Sequence, residues 1–138
     1  MRTYWNENEG SFTGTVLEEP EFSHENHGED YFRLPLRILR LSGAEDTLPV
    51  LVSRTQLEHL PIHAGDRLTV EGEIRSFNNR SGTGSRLVLT VFARQLTPAT
   101  GEDGNTVTLT GVLCKKPVYR HTPLGREICD LTLAVNRR

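Results

Sequence analysis

Laid over itself at an offset of 97, the chain repeats without a gap. Residues 8–40 fall on residues 105–137, and nine of the 33 pairs are identical: Asn8/Asn105, Thr13/Thr110, Gly14/Gly111, Pro20/Pro117, His24/His121, Gly28/Gly125, Leu34/Leu131, Leu36/Leu133 and Arg40/Arg137. Aligned glycines and an aligned proline fix turns and close backbone approaches, so a shared offset at such positions signals duplication. Any architecture must therefore be complete within about 97 residues and then begin again. The first copy is whole, and the second opens at about Asn105 and covers roughly a third of the unit. Between them TPATGEDGNT (97–106) is polar and glycine-rich, the composition of a linker. The expected organisation is one domain over residues 1–100 and the N-terminal strands of a second, truncated one over 105–138. Asn136-Arg137-Arg138 suits a trypsin-like protease, and the expectation is a fragment of a longer protein.

Strand signals dominate the unit. Phe12–Leu17 reads as a short strand in which Gly14 allows a bend or bulge. A polar loop of about a dozen residues follows, with Gly28 near its end. Tyr31–Leu41 alternates, with Phe32, Leu34, Leu36 and Ile38 on one face and Arg33, Pro35, Arg37 and Leu39 on the other. Leu48–Ser53 is a third strand. Ser53-Arg54-Thr55-Gln56 is a capping box, opening a short helix that Pro61 stops. In 64–77, Leu68, Val70 and Ile74 face one way, and Arg67, Thr69, Glu71, Glu73 and Arg75 face the other. Residues 78–85, NNRSGTGS, form a hairpin loop. A fifth strand over 86–96 opposes Leu87, Leu89, Val91 and Ala93 to Val88, Thr90, Phe92 and Arg94. The order β-β-β-α-β-β predicts an all-β chain: a five-stranded oligonucleotide-binding barrel (OB-fold) with one short helix, plus the first β-hairpin of a second OB-fold.

The formal net charge of −2 hides an asymmetry. Residues 1–30 carry eight acids against Arg2, whereas 31–138 carry ten acids and fifteen bases, a balance of +5. Fourteen of the sixteen bases are arginine, which grips phosphate bidentately and stacks flat on bases. No apolar run approaches the roughly 18 residues of a membrane span. Two cysteines make no disulfide framework, and Cys114 and Cys129 read as reduced thiols of a cytoplasmic protein. His24 and His27 lack the helical spacing of a metal pair, and no cysteine lies near them. There is no nucleophile–base pair, metal cluster or phosphate loop, so no catalysis, cofactor or metal is expected.

GVLCKKPVYRHTPLGREICDLTLAVNR (111–137) resembles the start of bacterial single-stranded DNA-binding proteins. In that family a G-x-L-x-x-x-P-x-x-R-x-T-P-x-G turn leads to a strand ending L-A-V-N-R. AGDRLTVEGEI (64–74) is similar to the family's G-D-x-V-x-V-x-G strand, and the likeness spans residues 8–137. The first copy departs where His24-Glu25-Asn26-His27-Gly28 stands in place of the R-x-T-P-x-G turn, so Arg120 has no basic counterpart at Ser23.

The resemblance implies single-stranded DNA binding in replication, repair or recombination, by a basic groove and base stacking without chemistry. The groove of this fold is the outward face of strands two and three with the adjoining loops. Arg33, Arg37, Arg54, Arg75, Arg80 and Arg86 are placed there, with Phe77 and Phe92 as stacking groups and Tyr31 and Phe22 as structural ones. The second copy adds Lys115, Lys116, Tyr119, Arg120, Arg126 and Arg137. The other reading is an OB-fold interaction or oligomerisation module of primosome-like replication machinery with weak DNA binding. An unfinished second barrel has open strand edges, and these predict a homo-oligomer, a dimer, with replisome proteins as further partners.

Overall fold

The computed structural model describes residues 7–79 and 86–135, with the side chains of 77–79 and 86–87 outside the description. These residues divide into two compact units, 9–107 and 108–135 with Glu7 and Asn8. In chain order the elements up to the division are β1 (Asn8–Val16), β2 (Glu21–Asn26), β3 (Glu29–Leu39), β4 (Glu45–Ser53), α1 (Arg54–His59), β5 (Arg67–Asn79), β6 (Arg86–Pro98) and β7 (Gly104–Leu109).

A five-stranded barrel closes within the first unit. Antiparallel pairing joins β1 to β5 over Gly10–Thr15 and to β3 at Thr15 and Val16. β3 pairs with β4 over its whole central stretch, β4 runs parallel to β6 at Val50 and Leu51, and β6 returns antiparallel to β5. This is the OB-fold, with α1 between the third and fourth barrel strands. Inside lie Phe12, Val16, Leu34, Leu36, Ile38, Val50, Val52, Ile62, Leu68, Val70, Val91 and Ala93, all buried. Each large member stabilises the barrel by about 1.5–3 kcal/mol relative to exposure. Two glycines let the wall coil tightly, since a Cβ on Gly14 or Gly72 would sit 2.1 Å from the carbonyl oxygen of Arg37 or Phe92. The capping box is present: Ser53 Oγ accepts from the Gln56 amide at 3.1 Å, and Gln56 Oε1 accepts from the Ser53 amide at 2.8 Å. None of the described helices is long and apolar enough to cross a membrane.

The structure corrects four local expectations. The polar loop after the first strand is instead mostly strand: β2 hairpins onto β3 through His27 and Gly28, whose φ angles of 51° and 79° suit a two-residue I′ turn. Gly14 makes room for a neighbouring strand, and its ladder with β5 runs without a register shift. Leu89 does not join Val91 and Ala93 in the core, because β5 and β6 continue past β4 as a two-stranded ribbon; Leu89 is 56% exposed. The 97–106 stretch is irregular only between β6 and β7, and it is fastened down. Asp103 accepts from Arg67 Nη1 and from the Leu39 amide (2.9 Å), and Gly101 O accepts from Arg67 Nη2 at 2.6 Å. Burial pushes the Asp103 carboxyl up, but bonds from Arg67 and Leu39 and the Arg67 and Arg37 charges hold it below its ordinary value.

The second unit contains β8 (Val112–Leu113), β9 (Val118–His121), β10 (Glu127–Asp130) and β11 (Leu133–Ala134). Its pairings reproduce those found 97 residues earlier. Val112↔Ala134 and Leu113↔Leu133 match Thr15↔Arg37 and Val16↔Leu36. Val118↔Asp130 and Tyr119↔Cys129 match Glu21↔Arg33 and Phe22↔Phe32. A Cβ on Gly111 would sit 2.1 Å from Ala134 O, the same approach that Gly14 makes. The hairpin tips differ. A bulge between Phe22 and His24 shifts the first hairpin by one residue toward its I′ turn. The second keeps register to His121↔Glu127 and turns through Thr122-Pro123-Leu124-Gly125, with Gly125 N donating to Thr122 O at 2.9 Å. Cys114 and Cys129 are free thiols.

Candidate nucleic-acid interface

Burying Leu34, Leu36 and Ile38 turns the odd residues of β3 outward: Tyr31, Arg33, Pro35 and Arg37. Strand register then lays rows across the barrel wall. Arg33 pairs with Leu51, Leu51 with Phe92, and Phe92 with Glu73, so one row crosses β3, β4, β6 and β5. Tyr31 opposite Ser53 lies to one side of this row, and Thr90 opposite Arg75 to the other.

Along these rows runs a stack of flat groups. His24 lies on Tyr31 with ring centroids 5.1 Å apart and 16° between planes. Tyr31 is 5.6 Å from Phe92 at a 44° tilt. The Arg75 guanidinium carbon sits 3.7 Å from the Phe92 ring centroid, a close cation–π contact. Beneath Arg75, Glu73 is only 1% exposed. Alternation points it outward, as expected, but Arg75 and Arg94 close over it, with N–O distances of 2.6 and 2.5 Å. A buried carboxylate needs this company, because an unpaired one would cost several kcal/mol. Two guanidinium groups on one carboxylate leave the cluster with a net positive charge.

The remaining expected groups scatter more widely. Arg33 is exposed beside this stack. Arg37 lies four residues further along β3, about 13 Å away, opposite Thr15 and Thr47 and 3.9 Å from Glu45. Arg37 and Arg75, expected on one groove, stand on different rows of the outer face. Arg54 opens α1 and pairs with Asp30 of β3 at 2.8 Å. Arg80 and Arg137 lie outside the described residues, as do the side chains of Phe77 and Arg86, whose backbones pair with Val88 and Asn79. In the second unit Lys115, Lys116 and Arg126 are exposed, and Arg120 pairs with Asp130 at 2.8 Å. Tyr119 Oη and His121 Nε2 are 3.2 Å apart. A hydrogen bond with Glu127, with some desolvation, holds the Tyr119 hydroxyl above its ordinary range.

His24 and Arg94, which are not among the groove residues expected from the sequence, join this cluster, and so does Tyr31, expected there as structural. The odd-residue parity of β3 carries the signal for Tyr31, since it shares its face with Arg33. His24 has no such signal, because its strand is exposed along its whole length and shows no alternation. Among the described residues no cluster of three or more His, Cys, Asp or Glu side chains could hold a metal ion.

Three solved structures place the geometry among known proteins. The N-terminal domain of the PriB protein of Thermoanaerobacter tencongensis, a dimer, is 37% identical over 68% of this chain and 98% of its own length, with a TM-score of 0.58. The wild-type single-stranded DNA binding protein of Thermus aquaticus is 25% identical, over 94% of this chain and 68% of its own, with a TM-score of 0.74. A deletion mutant of the Thermus protein gives 26% identity, 94% and 69% coverage and a TM-score of 0.72. No protein-family model matches the chain, and no curated protein matches it. A closed OB barrel, a relative 37% identical over nearly its whole length, and like neighbours agree: the chain belongs to the family of bacterial single-stranded DNA-binding and PriB proteins.

Proposed function

We propose that the chain binds single-stranded DNA without sequence preference, on the outer face of β3, β4, β6 and β5. One observation carries the reading: Tyr31, Phe92 and Arg75 follow one another in contact beside Arg33 and Arg94 on that face. Single-strand binding requires such a combination, flat groups for bases and cations for phosphates. Binding needs no catalysis and no cofactor. Replication, repair and recombination are the cytoplasmic processes that expose such DNA. The matched registers at an offset of 97 support a domain over residues 1–100 and a second OB barrel begun by 105–138.

Fluorescence titration of a dT oligonucleotide at two salt concentrations tests the proposal. Affinity should fall steeply with salt as phosphate contacts are screened. Failure to bind even at low salt would overturn it.

The dimeric relative favours a second reading, an OB-fold module that joins chains or replisome proteins. A chain that associates with itself and binds DNA at neither salt concentration would establish that role in place of the first.

A further inference from the structure

We propose that the platform for an unpaired base on this face is the guanidinium of Arg75, not an aromatic ring, and that Glu73 sets its plane. The inference rests on the single-strand reading above and deepens it. The chain has one tryptophan, Trp5, which is not among the described residues, and aromatics make up only 7% of the sequence. On the binding face, the obvious ring is Phe92. One side of that ring is already taken: the guanidinium carbon of Arg75 lies 3.7 Å from its centroid. A base approaching there meets the guanidinium first. The order becomes ring, guanidinium, base.

A guanidinium is suited to the middle of such a stack. It is planar, delocalised and weakly hydrated, and both of its faces can stack. It works as a platform only if its plane is fixed, and Glu73 supplies the fixing. Nε and Nη2 of Arg75 both donate to Glu73 Oε1, at 2.7 and 2.6 Å. These bonds engage the edge of the guanidinium and not its faces, and the side chain is a quarter exposed. Arg94 takes the other carboxylate oxygen, so a second cation shares the charge of Glu73. Arg75 thus offers a plane for a base and the cluster offers charge for its phosphate. An aromatic platform would offer only the first. This is how a face rich in arginine and poor in aromatics can still stack.

The test uses the 138-residue chain and a dT oligonucleotide carrying one 2-aminopurine, whose fluorescence is quenched by stacking. Arg75→Lys keeps the charge and removes the plane. It should leave the salt slope unchanged, weaken binding roughly 5- to 10-fold and relieve the quenching. Phe92→Leu removes the ring behind the plane and should act in the same direction. Because the two groups form one platform, the double variant should lose little more than the larger single loss. Glu73→Gln raises the net charge by one, yet should relieve quenching because the plane is no longer held. Thermal melting confirms that each variant folds; should Arg75→Lys not fold, the quenching of folded Phe92→Leu decides. Parent-like affinity and quenching in Arg75→Lys, or in that case in Phe92→Leu, would overturn the platform, as would additive losses. Unchanged quenching in Glu73→Gln would return Glu73 to a purely structural role. An unaltered chain that fails to bind at low salt overturns the single-strand reading itself, whereas tight binding insensitive to Arg75→Lys overturns only this inference.

Discussion

A methyl group added to Gly14 would sit 2.1 Å from the Arg37 carbonyl oxygen and 2.9 Å from its carbon, so the backbone itself must move. Gly14→Ala is expected to cost roughly 1–3 kcal/mol, the usual penalty of overpacking. For a domain of this size that lowers the melting temperature by about 4–8 °C per kcal/mol. An unchanged melting curve would show that β1 and β3 can separate freely. The sequence marked Gly14 as special but assigned it to a bend. Composition reveals that a side chain is unwelcome; it does not reveal which strand fills the space. The same limit applies to Glu73. Alternation gave its direction, while its burial depends on Arg75 and Arg94 closing over it, and a register shift in the β5–β6 ladder between Glu71 and Gly72 sets where Arg94 stands.

Whole strands were easier to read than single contacts, with one exception. β3, β5 and β6 bury alternate apolar residues, and that period of two showed in the sequence. β2 is exposed along its whole length and has no buried face, so EFSHEN carried no periodicity. It is a strand because β3 offers it a ladder and His27-Gly28 a turn. The segment just before it is tied down differently. Glu19 Oε1 is 2.9 Å from His63 Nδ1, and Oε2 accepts from the Ala64 amide. The hydrogen bond and charge of Glu19 raise the His63 pKa above its ordinary 6.5. A raised folded-state pKa stabilises fully below 6.5, and the contribution disappears as pH rises through the raised value. Histidine NMR titration should find His63 titrating above 6.5 and returning toward that value in Glu19→Gln. A titration unmoved by Glu19→Gln would remove the tie.

Two units with matching strand registers imply that the same rules were applied twice, but the second unit is shorter. Leu113 and Leu133 pair as Val16 and Leu36 do, yet the former are exposed and the latter buried. Isolated hairpins are marginal in water, and open edges seek partners. Light scattering on the 138-residue chain should therefore report a dimer at tens of micromolar, and a strictly monomeric chain would contradict this. The DNA is expected to lie across the outer face of β3, β4, β6 and β5. Amide chemical-shift mapping with a dT oligonucleotide at low salt tests it most directly. The largest shifts should fall on Tyr31, Arg33, Leu51, Arg75, Phe92 and Arg94, the residues of these rows. Shifts gathered instead around Arg37 and β1, with the Phe92 row silent, would contradict it.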